Sequence, residues 1–176
     1  HIAVNALNDA PTLTDIFMTI SEDEILNNAI AYFTGAFSDI DGNPLIKIKI
    51  ISLPANGTVK LSGFNVNIDD EILAADLANL SFVPDANWNG STSFEWNGFD
   101  GTVYALTNAT VNITVNAVND VPVLSDITRT DNEDNALSFA AVDFTSAFSD
   151  ADGNSLTKIK VTSLPSNGTL QLSGVD

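Results

Sequence analysis

Along residues 45–52 (LIKIKIIS) apolar and polar side chains alternate, with Ile46, Ile48 and Ile50 on one face and Lys47 and Lys49 on the other. Phe94 and Trp96 flank Glu95 in the same way, and Val111, Ile113 and Val115 alternate with Asn112 and Thr114. A period of two predicts strands rather than helices. Turn signals separate the runs: Asp41-Gly42-Asn43, Pro54-Ala55-Asn56-Gly57, Asn89-Gly90 and Asp100-Gly101. Strands are therefore expected near 12–20, 25–31, 45–52, 57–61 with an extension over 64–68, 79–83, 91–97 and 103–116. The stretch 70–77 (DEILAADL) has helical composition and predicts a single turn before 79–83. Short strands at this spacing predict an all-β, seven-strand β-sandwich.

Self-comparison sets the organisation. Residues 4–16 (VNALNDAPTLTDI) return as VNAVNDVPVLSDI at 115–127, AFSDIDGNPL at 36–45 as AFSDADGNSL at 147–156, and SLPANGTVKLSG at 52–63 as SLPSNGTLQLSG at 163–174. Every pair is offset by 111, without a gap, and 36 of the 62 pairs from Val4/Val115 to Asn65/Asp176 are identical. This is a tandem duplication. The chain reads as the end of a preceding repeat (1–8), one complete repeat (9–119) and the first half of a following one (120–176). That half lacks the counterparts of Phe82, Phe94, Trp96, Ile113 and Val115, so its apolar residues, among them Leu156, Ile159, Val161, Leu164 and Leu172, are expected to be completed by protein outside this stretch.

Charge narrows the function classes. Six basic and 23 acidic side chains give 6 − 23 = −17 with histidine neutral. Nucleic acid and anionic membrane surfaces call for positive patches, so this balance speaks against both and favours cations. A hydrophobic content of 44% is enough for a core. There is no cysteine, and the one histidine is His1, so disulfides, thiolate zinc sites and histidine-based triads are excluded within one chain. No apolar run reaches the ~18 residues of a spanning helix.

The matched motifs point to a family. NDAP at residues 8–11, the Glu22-Asp23 pair, Asp39-x-Asp41-Gly42, SLPANGT, AADLANLSFVPDANWNG and the Asp100-Gly101 before the last strand resemble the cadherin-like, immunoglobulin-type repeats of large bacterial surface adhesins of the RTX type. The resemblance covers the whole chain. It implies an Ig/cadherin-like sandwich in tandem, secreted and extracellular at the bacterial cell surface, in arrays often exported without a cleaved amino-terminal signal and with calcium-stiffened joints. Its implied role is cell adhesion or biofilm formation, as a structural extender whose partners are neighbouring repeats, another copy of the chain or surface glycans. The linker departs from the cadherin form DxNDNAP, since Asn116-x-x-Asn119-Asp120-Val121-Pro122 lacks the leading aspartate and second asparagine. One or two ions per joint are expected rather than three.

Calcium wants six to eight hard oxygens at ~2.3–2.6 Å. Asp39 and Asp41, one residue apart in a turn that Gly42 allows to bend sharply, can face one point. An EF-hand is excluded, because positions six and twelve from Asp39 are Leu45 and Ile50. In a seven-strand sandwich the leading linker and the loops after the second and sixth strands share one end. Asp9, Asp39, Asp41 and Asp100 should therefore converge there. At the lower junction Glu22 and Asp85 would face Asn119 and Asp120, with Asp150 and Asp152 arriving from the next repeat. The competing reading is that Asp-x-Asp-Gly is an ordinary turn sequence. Its recurrence as Asp150/Asp152 beside a linker aspartate favours the ligand reading.

Other features carry less. Trp88 is read as a plug for one end of the sandwich or as a sugar-stacking platform, the basis of an alternative function as a carbohydrate- or protein-binding module. Trp96 is read as core. Lys47, Lys49, Lys158 and Lys160 are read as a wet face that discourages edge pairing. Asn56-Gly57-Thr58 and Asn167-Gly168-Thr169 match a glycosylation pattern, and the repeated turn already explains them. Nothing suggests a cleft that would tune paired carboxylates for acid–base work, so no enzyme activity is expected.

Overall fold

The computed structural model describes residues 7–172, and the chain divides into two compact units, 1–118 and 119–176. Most of the expected end of a preceding repeat (1–6) lies outside the described residues. The first unit is an all-β Ig-like sandwich. β1 (Thr12–Leu13) pairs antiparallel with β3 (Phe37–Ser38). The chain then continues as β2 (Ile16–Ser21), which runs parallel to β10 (Ala109–Asn116) with Ile16 opposite Val111. Next to β10 lie β9 (Gly90–Phe99), β4 (Lys47–Ile50) and β7 (Glu71–Leu73), giving a five-stranded sheet in the order β2-β10-β9-β4-β7. A second sheet holds β6 (Phe64–Asn65), β5 (Thr58–Leu61) and β8 (Leu80–Val83) in the order β6-β5-β8.

Alternation buries one face of each strand. Ile16, Met18 and Ile20, Val111, Ile113 and Val115, Phe94 and Trp96, and Ile48 and Ile50 form a core with Val59, Leu80 and Phe82 of the second sheet. Ile48, Ile50 and Trp96 are fully buried. The ring of Phe33 meets Trp96 edge to face at 4.9 Å.

Four expectations are corrected. No strand forms over 25–31. Leu26 makes a single bridge to Phe82, Asn28 turns the chain at φ 60°, and α1 (Ile30–Gly35) follows. Phe33 is the buried residue of this short helix and the flanking Ala29 and Ala36 are buried beside it, so the helix covers the core where a strand was expected. The 70–77 stretch opens with β7 before a 3-10 turn at Ala74–Asn79 with Leu77 buried inside it. The strand expected over 103–116 begins only at Ala109, because Asp100 closes a tight turn on Thr102 and Val103 and Gly101 takes φ +104°. β4 is not an edge: β7 flanks it, and Lys47 and Lys49 bridge to Glu71 and Asp69 at 2.6 and 2.7 Å.

In the second unit, β11 (Val123–Leu124), α2 (Ala141–Ser146) and β12 (Phe148–Ser149) each stand 111 residues after β1, α1 and β3. Val123 pairs with Ser149 and Leu124 with Phe148, the register of β1 with β3.

Candidate functional site

One end of the first unit gathers three segments: the leading residues 8–10, the turn 39–43 after β3, and Asp100 at the end of β9. Asp39 organises the turn, its Oδ1 accepting from the backbone N–H of Asp41 at 2.9 Å and of Asn43 at 3.1 Å. Gly42, at φ +79°, lets the chain reverse there. The Asp41 Oδ2 accepts from the Asp9 N–H at 2.7 Å and so ties the leading segment down. Asn43 donates to Asn8 Oδ1 at 2.8 Å, and Asn8 donates to Asp100 Oδ2 at 3.0 Å. Asp100 Oδ1 also accepts from Thr102 and Val103.

Asp9, Asp39, Asp41 and Asp100 thus meet at one end, but they do not form a cage. Among the described residues no three Asp, Glu or His side chains are grouped so as to hold a metal. The carboxylates of Asp39, Asp41 and Asp100 are aimed at backbone N–H groups and at Asn8 rather than at one point. One oxygen is left over: Asp39 Oδ2 is buried and has no hydrogen-bond partner. Asp100 is 5% exposed. Burial works against its charge, and the bonds from Asn8, Val103 and Thr102 outweigh it, so its carboxyl sits below the usual aspartate range.

The second unit repeats this arrangement. The Asp152 Oδ2 accepts from the Asp120 N–H at 2.7 Å, and Asp150 Oδ1 accepts from the N–H groups of Asp152 and Asn154, both at 3.1 Å. Asn154 donates to Asn119 Oδ1 at 3.4 Å. In both units the arrangement is carried by the leading segment and the Asp-x-Asp-Gly-Asn turn. Asn8, Asn43 and Asn154 are the contributors that the carboxylate-centred reading passed over. The signal was present, since both asparagines of the first unit recur in the second, as Asn119 and Asn154.

Glu22 lies elsewhere in the first unit, 6% exposed, its Oε1 accepting from the Val118 N–H at 2.6 Å and its own N–H donating to the Asn116 carbonyl at 3.0 Å. It anchors the segment that leaves β10. Asp85 is exposed in the turn after β8, where its carbonyl accepts from the Trp88 N–H at 3.2 Å. Trp88 is half-buried against the core, and a Cβ on Gly90 would lie 2.9 Å from its ring. A further cluster escaped the sequence reading: Lys47 lies 4.8 Å from the Phe99 ring centre and pairs with Glu71, which also accepts from the Tyr104 hydroxyl. Among the described residues no helix is long and apolar enough to cross a membrane.

Comparison with known proteins finds two similar stretches and one family. Over 127 residues the chain is 32% identical to integrin beta-like protein C of Dictyostelium discoideum, covering 68% of this chain but 6% of that protein. Among solved structures, an endo-fucoidan hydrolase of glycoside hydrolase family 107 is similar at 21% identity over 67% of this chain and 16% of its own, with a TM-score of 0.37. Both stretches are small parts of much longer proteins. Residues 8–116, the span from the Asn8 segment to the end of β10, match the family described as bacterial Ig domain, whose members are structural rather than catalytic and typically occur in extracellular surface proteins. The chain belongs to that bacterial Ig-like family.

Proposed function

We propose that this chain is an extender from a cadherin-like tandem array of an RTX-type bacterial surface adhesin, supporting cell adhesion or biofilm formation. On this reading, calcium at the head of each repeat makes the array stiff. The observation that carries it is the head arrangement recurring at an offset of 111, with the leading segment bound to a turn of acidic side chains in both units. A rod needs many equivalent units rather than one unique site.

The residues fit the ion by donor chemistry. Asp39, Asp41, Asp100 and Asp9 in the first unit offer only oxygen, and the buried, unpartnered Asp39 Oδ2 lacks the positive partner that a buried carboxylate oxygen requires. Asn119, Asp120, Asp150 and Asp152 are the set in the second unit, and Glu22 and Asp85 the outlying candidates. The ion supplies a compact positive charge that offsets carboxylate repulsion. The protein's part is to hold the leading segment, through Asp41 on the Asp9 N–H, where that charge can act on it. A glycan-binding role through Trp88 is the weaker reading, because its ring packs on the core and on Gly90.

Titration calorimetry tests the proposal. Calcium should bind in the ~10⁻⁴–10⁻³ M range common for extracellular modules, and Asp39→Ala with Asp41→Ala should remove the first unit's share. Small-angle scattering of a protein with two complete repeats should show elongation on adding calcium. No binding heat, together with superimposable scattering in chelator and in calcium, would sink the idea.

A further inference from the structure

After β9 the chain turns back in a tight hairpin that carries Asp100. Phe99 and Tyr104 face each other across it as an antiparallel bridge, with their rings 4.9 Å apart. The Ala105 N–H donates to the Gly98 carbonyl at 3.0 Å and closes the next rung. Between these legs Asp100 Oδ1 accepts from Thr102 and Val103 at 2.6 and 2.7 Å, and its Oδ2 accepts from Asn8 at 3.0 Å. The bond from Asp100 to the leading segment therefore depends on how firmly this hairpin is held.

A side-chain cluster ties the hairpin to the neighbouring strands. Lys47 of β4 places its ammonium 4.8 Å from the Phe99 ring centre and 5.6 Å from that of Tyr104. The Glu71 carboxylate on β7 is used at both oxygens. Its Oε2 accepts from Lys47 at 2.6 Å, and its Oε1 accepts from the Tyr104 hydroxyl. Lys49, two residues further along β4, bridges instead to Asp69 at 2.7 Å. Surface ion pairs contribute little to stability by themselves. The consequence of this one is geometric, because it fixes Tyr104 and with it the returning leg of the loop.

We propose that Tyr104, Glu71 and Lys47 are positioning residues for the head: they hold Asp100 against the leading segment and so set the head's affinity for calcium. The inference rests on the reading of the head as a calcium site, and it makes none of the three a ligand. Its sign opposes that of charge alone. Removing a cation from an acidic molecule should strengthen the binding of a divalent cation, whereas removing Lys47 as a positioning residue should weaken it.

Amide NMR of the 176-residue protein during a calcium titration reads the first unit separately, through Asp41, Thr102 and Val103. Tyr104→Phe keeps the ring and loses only the hydroxyl, Lys47→Met keeps the apolar stem, and Lys49→Met is the matched control for charge. Tyr104→Phe and Lys47→Met should each weaken calcium binding about tenfold, the low end for groups that orient ligands. Both should also speed amide exchange of Thr102, Val103 and Ala105 in chelator while β10 keeps its protection. Lys49→Met should leave the affinity unchanged or strengthen it. The proposal is overturned if Tyr104→Phe leaves the affinity unchanged, whatever the exchange shows, or if Lys49→Met weakens binding as much as Lys47→Met. If the unaltered protein shows no calcium-dependent shift, the calcium reading itself fails and this inference falls with it, an outcome visible before any variant is made.

Discussion

At Gly57 the backbone sits at φ +97°, and a Cβ there would lie 2.5 Å from the Phe82 ring and 2.8 Å from the Val83 carbonyl. Gly42 has a similar dihedral, φ +79°, but nothing within 4 Å of the same atom. Alanine at Gly42 should therefore cost only left-handed strain, about 1–2 kcal/mol. Gly57→Ala adds displacement of a core ring and should lower stability by about 3 kcal/mol or more. Urea denaturation of both variants checks the order, and equal losses would contradict the contact argument. Asp100 makes a second residue-scale case. Its folded-state pKa is depressed, so its contribution is present above the unfolded value of about 4 and is lost as pH falls through the folded one. Asp100→Asn should lower stability at neutral pH by about 1–3 kcal/mol, because an amide donor would face the Asn8 donor. It should also flatten the acid limb of a stability–pH curve measured between pH 2 and 6.

At the scale of elements, legibility follows the period of the pattern and the distance over which it is decided. β4, β9 and β10 could be read because alternation is strict and each strand is buried on one face. The 25–31 stretch was misread because its one strand-like residue, Leu26, pairs only through a single bridge to Phe82, and Asn28 at φ 60° ends the extended run before α1. β7 was hidden for another reason: Glu71-Ile72-Leu73 has helical composition, and only pairing with Lys47, Ile48 and Lys49 makes it a strand. The head could be read as a convergence of loops, but not its hydrogen bonds, since nothing local shows that a carboxylate will face an N–H 32 residues away. The helix makes a quantitative expectation possible. Phe33 is 1% exposed and stands on Trp96, so Phe33→Ala should cost about 3–5 kcal/mol and alter Trp96 fluorescence. A loss below about 1 kcal/mol would mean that α1 only covers the surface.

For the whole molecule the governing quantity is a charge of −17 on 176 residues. Like charges oppose the compact state, and this repulsion reaches ~30 Å in 0.01 M salt but ~8 Å in 0.15 M. Sodium chloride alone should therefore raise the melting temperature and then level off as screening saturates. Calcium at the same ionic strength screens equally, so any excess measures binding to the folded state. One site at ten times its Kd adds about 1.4 kcal/mol by mass action. The expected result is a calcium curve that continues to climb above the sodium curve through the millimolar range. Asp39→Ala with Asp41→Ala should keep the sodium response and reduce the calcium excess, because those two side chains organise one head and leave the diffuse charge nearly unchanged at −15 (−17 + 2). Differential scanning calorimetry at matched ionic strength separates the cases. If the calcium and sodium curves coincide, the carboxylates act as a diffuse charge and the heads hold no ion.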